Sequence, residues 1–425
     1  MNKFSLKKSF GAITVAMAVS SLLVVPGIAQ QTTVNFLGTN SPEWYAPVIE
    51  SFEVAHPDIT IAYQQVPFND LNAAIESRVG QGDSSIDIFE ADTPRVPASA
   101  ARGHLASLED RRAAIEAAVP NPVDIEQVSH EGEIFAYPMW SSTQLLFFNR
   151  DLLNNAGVEL PSGAPEDRLT WAQLLEKAKA AQEGGAEWGV IVQQVDRYYQ
   201  LQPLFESNGA GPGLTGDGLL EPDITNDGWV STAQWYQDIF ENGIAPRGIA
   251  PNQTNALFTN GELAFLVGGP WVLGGFTGTE GLNFGVAPHP YFEGGSKVTP
   301  TGAWALGINP SAANKEAAQT FAEFITLTGD GSYLSISKAP FPPTNAEARL
   351  RYIADLSDMV ETIGPVDKII SHELDETAVG RPRTIGFVAF ETIMNRTFSD
   401  IRNGANVEEA LGEAETQISR ALSRL

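Results

Sequence analysis

Between Thr33 and Asp92 the hydrophobic period switches repeatedly between two and three-to-four residues, and few folds accept the order in which it does so. Thr33 to Leu37 alternates as a strand and breaks at Gly38. Trp44, Val48, Ile49, Phe52 and Ala55 share one helical face, and Pro57 ends that helix. Ile59, Ile61 and Tyr63 alternate again, a helix fits Asp70 to Val79, and "SSIDIFEAD" is a short buried strand closing at Asp92. Strand, helix, strand, helix, strand predicts an α/β unit with a mainly parallel sheet. Ligands of such sheets gather outside the carboxyl ends of the strands, so residues 40–44, 65–69 and 92–95 form one prospective wall.

A second unit of similar rhythm follows "IFAYPMWSSTQ". It opens with a strand at Leu145 to Asn149 and continues through a helix at Trp171 to Glu183, the strand "EWGVIVQQV", and helices at Leu201 to Ser207 and Gly228 to Asn242. A strand "LAFLVGG", a further strand and an amphipathic helix with Ala317, Ala318, Phe321, Phe324 and Ile325 on one face come next. Lys338 to Thr344 is a proline-stiffened connector, and the tail from Glu347 to Leu425 reads as mostly helical. A chain of 425 residues exceeds what one core usually serves, which also argues for two lobes.

The first residues stand apart. Lys3, Lys7 and Lys8 precede the apolar run "GAITVAMAVSSLLVV", and Gly27 and Ala29 fit the small positions before a cleavage site at Gln30. Residues 1–29 are therefore expected to be a cleaved secretory signal. Cysteine is absent, which excludes disulfides, cysteine metal sites, cysteine nucleophiles and a lipidated N-terminal cysteine. The expected location is the periplasm. Removing the signal leaves 23 basic against 52 acidic side chains, a net charge of −29. That balance speaks against nucleic acid, anionic membranes and polyanions as partners, and makes a neutral ligand the simpler expectation.

One segment, "LFTNGELAFLVGGPWVLGGF", sets Trp271 among glycines. Glycines beside a large ring allow sharp turns and close backbone approach, so the ring can be offered to a ligand or can plug a core. The segment alone admits both.

Several stretches together resemble the extracellular solute-binding proteins of ABC-type sugar importers, in the branch holding maltose-binding and trehalose/maltose-binding proteins. "VIESFEVAHPDITIAYQQV" is similar to that family's opening helix and strand, and "YPMWSSTQLLFFNRDLL" to its first crossing between lobes. "ALFTNGELAFLVGGPWVL" and "TGAWALGINPSAANKEAAQTFAEFI" resemble its two tryptophan-bearing segments, and "GRPRTIGF" with "NGANVEEALGEAETQI" its carboxyl end. The resemblance spans essentially the whole mature chain. It implies a two-lobed periplasmic-binding-protein fold, with residues 30–138 and 300–343 in one lobe and 139–299 and 344–425 in the other. A hinge would close the lobes around a sugar, and an inner-membrane ABC permease would receive it.

The same resemblance implies site residues. Trp271 and Trp304 fall on stacking tryptophans, Ala303 on a backbone contact, Asp92 and Glu43 on acidic hydroxyl binders, and Arg381 on a basic one. Trp140 takes the place of an aromatic binder at the first crossing, and Tyr199 that of a further stacking ring. Ser142 departs from the pattern, replacing an acid common in maltose and trehalose binders. The implied ligand is a neutral di- or oligosaccharide, with α-glucosides such as trehalose, maltose or sucrose first. The protein would be a monomer with no reaction, cofactor or metal.

Other readings carry less. Trp44, Trp171, Trp188, Trp229 and Trp235 are expected to pack in the core, Trp44 being the strongest exception. The five histidines show no metal spacing, and no phosphate-binding glycine fingerprint occurs. The alternative is a secreted glycoside hydrolase, which also needs an aromatic, acidic cleft.

Overall fold

The computed structural model describes residues 31–67, 70–302, 304–337 and 341–425. The expected signal segment, Ala303 and part of the proline-rich connector lie outside them.

The architecture is α/β and rests on two sheets. The first has five strands in the order Ile59–Gln65, Thr32–Gly38, Ile88–Asp92, Trp304–Ile308, Ala136–Trp140. The second has four, ordered Phe284–Pro288, Leu145–Asn149, Leu263–Gly268, Trp188–Val192. Strand Ile88–Asp92 is buried throughout, as befits a central strand covered on both faces. Helices Pro42–Ala55 and Lys315–Leu327 cover the first sheet, with Phe52 and Phe321 meeting edge to face at 5.0 Å. Helix Trp171–Glu183 packs on the second sheet, and its start is fixed by a capping box between Thr170 and Gln173.

The three strands within residues 32–92 are parallel, as expected of that unit, but the complete sheets are mixed. Thr32–Gly38 pairs in parallel with both neighbours, but Trp304–Ile308 runs antiparallel to Ile88–Asp92 and to Ala136–Trp140. In the second sheet only Leu263–Gly268 and Trp188–Val192 are parallel. The reason is topological. The chain leaves the first sheet at Trp140 and re-enters at Trp304, its pairing partner at the same end of the sheet, so the returning strand runs antiparallel.

The crossings lie side by side. Residues 141–144 join strand Ala136–Trp140 to strand Leu145–Asn149, and the short strand Thr299–Thr301 leads back. Ser141 ties them together: its amide donates to the Pro342 carbonyl at 2.8 Å and its hydroxyl meets Thr301 Oγ1 at 3.0 Å. Thr299–Thr301 also pairs with Ala378–Gly380, a strand within the tail that the sequence presents as helical. Helix Phe387–Arg402 then packs on helices Tyr198–Ser207 and Asp227–Glu241, on the side of the second sheet.

Candidate functional site

Between the two sheets lies a cavity of about 540 Å³, within the range that holds small ligands. Its aromatic wall comes from segments far apart in the chain. Phe341 stacks on Trp140 (5.1 Å, 10° between planes) and on Trp271 (6.0 Å, 24°), while Trp44 lies 5.6 Å from both Trp140 and Phe341. Trp304 completes the lining, beside Asp92 across the strand pair at the strands' ends.

Each expected residue has a definite place. Trp271 lines the cavity half-buried, but it does not stand clear of its own chain. A Cβ at Gly269 would lie 1.9 Å from the Trp271 ring, so the flanking glycine exists to let the indole fold back over the backbone. Trp140 also reaches the cavity, although its side chain is almost wholly buried and its indole N–H donates to Ser335 Oγ at 3.2 Å. Trp44, expected mainly to pack, lines the cavity and donates its indole N–H to the Ser335 carbonyl at 2.9 Å. Trp171 and Trp229 are core side chains, and Trp188 and Trp235 pack against the core.

Two expectations are corrected. Glu43 is solvent-exposed in the first turn of helix Pro42–Ala55 and is not among the residues lining the cavity. Its own backbone amide, with Ser41, holds its carboxyl below the usual range, the stabilising position of an acid at a helix start. Ser142 lines the cavity, yet its hydroxyl is spent within the protein. It donates to the Gly302 carbonyl (2.6 Å), accepts from the Gly302 amide (3.0 Å) and meets the Tyr199 hydroxyl (2.8 Å). One donor and two lone pairs are thereby used up, so Ser142 braces the crossing and orients Tyr199.

Asp92 and Arg381 differ from expectation in another way. The resemblance makes them hydroxyl binders in opposite lobes; in the structure they pair with each other. Arg381 Nη2 donates to Asp92 Oδ1 at 2.5 Å and Nη1 to Oδ2 at 3.1 Å, with both side chains 8% exposed. Oppositely charged groups withdrawn from water together pair in the fork geometry a guanidinium offers a carboxylate. Burial opposes the Arg381 charge, but Asp92 and Glu391 outweigh it and hold the guanidinium protonated. The Tyr199 ring faces the same guanidinium at 5.1 Å, and burial pushes the Tyr199 hydroxyl up to about 12.

Sequence reasoning missed the rest of this ionic cluster. Arg95 pairs with Glu391 and lies 3.5 Å from Asp92, and Glu391 is 3.8 Å from Arg381. Arg197, at the start of helix Tyr198–Ser207, adds a third guanidinium to the lining. Burial raises the Glu391 carboxyl, with Arg95 and Arg381 pulling the other way, and burial lowers Arg197. Arg383 and Glu126 make a further ion pair between the tail segment and the side of the first sheet. Behind the wall, buried Glu90 accepts from the Thr39 amide (2.8 Å), Thr39 Oγ1 (2.7 Å) and Asn40 Nδ2 (3.0 Å), and from Tyr45, which fixes the Thr39–Asn40 loop. Gln194, another lining residue, holds a left-handed backbone (φ 52°), a strain seen where function over-determines geometry. Among the described residues, no group of three or more His, Cys, Asp or Glu side chains could hold a metal ion.

Two sheets joined by parallel crossings, with an aromatic and ionic cleft between them, define the two-lobed α/β class of periplasmic-binding-protein folds. Residues 38–331 match the family model for bacterial extracellular solute-binding proteins, and the chain belongs to that family. It is similar to the galactooligosaccharide-binding protein of Bacillus subtilis, 27% identical over 201 residues, 45% of each chain. It is also similar to the maltodextrin-binding protein of the same organism, 24% identical over 227 residues, 52% of this chain and 51% of that one. The chain thus spans about half the length of these two curated relatives. Among solved structures it resembles an ABC substrate-binding protein of Listeria monocytogenes in complex with cycloalternan. The TM-score is 0.80 at 22% identity, over 92% of this chain and 99% of that one, a likeness of fold.

Proposed function

We propose that the protein binds a di- or oligosaccharide between its lobes in the periplasm and hands it to an inner-membrane ABC permease, acting as a monomer and without a reaction. The observation carrying this reading is the cavity itself. Stackable rings (Trp271, Trp304, Phe341) and polar groups drawn from both sheets converge on one volume. A sugar needs both, since its C–H faces pack on rings while its hydroxyls need fixed partners or pay for lost water. The relatives bind galactooligosaccharide and maltodextrin by name, which supports the class of ligand. The lobes are taken as residues 30–138 with 300–343 and 139–299 with 344–425, hinged at the crossings, so that ligand contacts on both sides favour closure.

Among neutral sugars, the α-glucosides trehalose, maltose and sucrose are the first to test, on the resemblance to maltose and trehalose/maltose binders. A thermal-shift screen of the mature chain against mono-, di- and trisaccharides tests the class, with amino acids, polyamines and ferric ion as controls. Ligand at about 100 times its Kd adds about 2.7 kcal/mol to stability, enough to move the midpoint visibly. A shift with a control alone refutes the carbohydrate reading. The hydrolase alternative is set aside by membership in a family of solute binders.

A further inference from the structure

The whole chain carries twice as many acidic as basic side chains, 52 against 26, but the cavity reverses the balance. Among the described lining residues the acids are Asp92 and Glu391, while Arg95, Arg197 and Arg381 are the bases. Three positive charges face two negative ones. They behave as one cluster: Arg95 and Arg381 touch both acids, and Arg197 feels all four other charges. Buried Glu90, behind the Thr39–Asn40 loop, is taken up by the neutral Thr39, Asn40 and Tyr45.

The excess of one positive charge does not require any guanidinium to lack a partner. It is a property of the cluster, and it matters most when the cleft closes and water leaves. Charges withdrawn from water are tolerated when their sum is neutralised and their donors are satisfied. Here Arg95 Nε has only Asp92 Oδ2, at 3.5 Å, and Arg381 Nε is buried without a hydrogen-bond partner. A single oxyanion in the cavity would supply the missing charge, and guanidinium groups recognise carboxylate and phosphate in preference to hydroxyls. The acidity of the surface does not prevent this, because at physiological salt its field decays over about 8 Å and the local cluster decides.

We infer that the cleft takes a carbohydrate bearing one oxyanion, a carboxylate or phosphate, seated against Arg95, Arg197 and Arg381 with its neutral ring on the tryptophans. This rests on the carbohydrate reading above, narrows it, and departs from the neutral ligand that overall charge favours.

The test is calorimetric binding of matched pairs to the full mature chain: maltose against maltobionate, trehalose against trehalose 6-phosphate, and a neutral disaccharide against its glucuronyl counterpart. Inorganic phosphate and acetate serve as bare-anion controls. One acidic member should bind at least about tenfold more tightly than its parent, the worth of one charge-assisted contact, and the carboxylate and phosphate arms tell the two sources apart. Arg197→Gln brings the cluster to two against two, so the ratio of acid to parent should fall toward one. Glu391→Gln makes it three against one, so the ratio should rise. Both variants are checked for folding by circular dichroism, and either alone decides the sign. Neutral sugars binding as tightly as their acids, or ratios that ignore both substitutions, overturn this inference and leave the carbohydrate reading standing. Binding by no sugar of either kind overturns both.

Discussion

Asp92→Asn gives the most direct measure of what holds the two lobes together. Asp92 ends a strand of the first sheet, and Arg381 enters from the tail segment leading to the helix packed beside the second sheet. Were the cleft to stay shut, removing one partner of a buried pair would cost about 3–5 kcal/mol. Arg381 keeps Glu391 at 3.8 Å, so the lower end applies, about 3 kcal/mol. A pair linking two bodies has an escape that a core pair lacks. The lobes can part and let the guanidinium rehydrate, so the cost appears as a shift toward the open form. A bias of about 3 kcal/mol changes the open-to-closed ratio on the order of 100-fold, and ligand affinity should fall with it. Small-angle scattering should show a larger ligand-free radius of gyration, and calorimetry the weaker binding. The unfolding free energy should drop by less than the full amount, because opening relieves part of the cost. An unchanged radius, affinity within about threefold and a full 3 kcal/mol loss of stability would refute the argument and make the pair an ordinary core contact.

Trp271→Ala should weaken ligand binding by about 2 kcal/mol, the worth of a half-buried ring's apolar area, with little change in ligand-free melting; unaltered affinity would place the ring in the core. Gly302→Ala should cost about 1–3 kcal/mol in closure or stability, because a Cβ there would sit 2.7 Å from the Tyr199 ring and 3.1 Å from Ser142 Oγ. Scattering and denaturant titration of that variant would show it, and wild-type behaviour would mean that the Tyr199 ring moves freely. Asp124 supplies a pH test: burial pushes its carboxyl up to about 6, so the native chain holds a proton that the unfolded chain has released. Its contribution therefore makes stability fall as pH rises from about 4 to about 6, and Asp124→Asn should gain on the order of 2 kcal/mol over wild type at pH 7 but not at pH 4. Parallel urea-midpoint profiles for the two proteins would show the carboxylate to be hydrated. His289 has the opposite sign. Burial and Arg168 lower it to about 3, so wild type loses stability as pH falls below about 6.5, and His289→Gln should flatten that limb of the same profile.

The parts of the fold visible in the sequence are those whose cause is local. Helix Trp171–Glu183 is readable because Thr170 and Gln173 cap one end and Gly184 follows the other. The buried strand at Ile88–Asp92 is readable as an apolar run ending in an acid. The direction of Trp304–Ile308 was not, because its antiparallel entry depends on a path through the other sheet that no window of residues records.

The cleft repeats this on a larger scale. Trp271 and Trp304 stand out locally, as large rings beside glycine or at a strand's end. Phe341 hides inside "KAPFPPT", where the prolines read as stiffness; an aromatic side chain on a crossing was the one signal that could have singled it out. The pairing within the ionic cluster left no local mark. Arg95 and Glu391 are 296 residues apart, and Asp92 and Arg381 are 289 apart. Each looks like an ordinary helix-end or loop charge in a chain with acids to spare. Sequence therefore exposes the surface a sugar ring can lie on, because stacking needs one side chain at a time. The charge balance of the cleft belongs to pairings that exist only once the two lobes face each other. For that reason the acid-to-neutral ratio of Arg197→Gln says more about the ligand than any single affinity: it measures the sum of charges in the cleft, which no single contact determines.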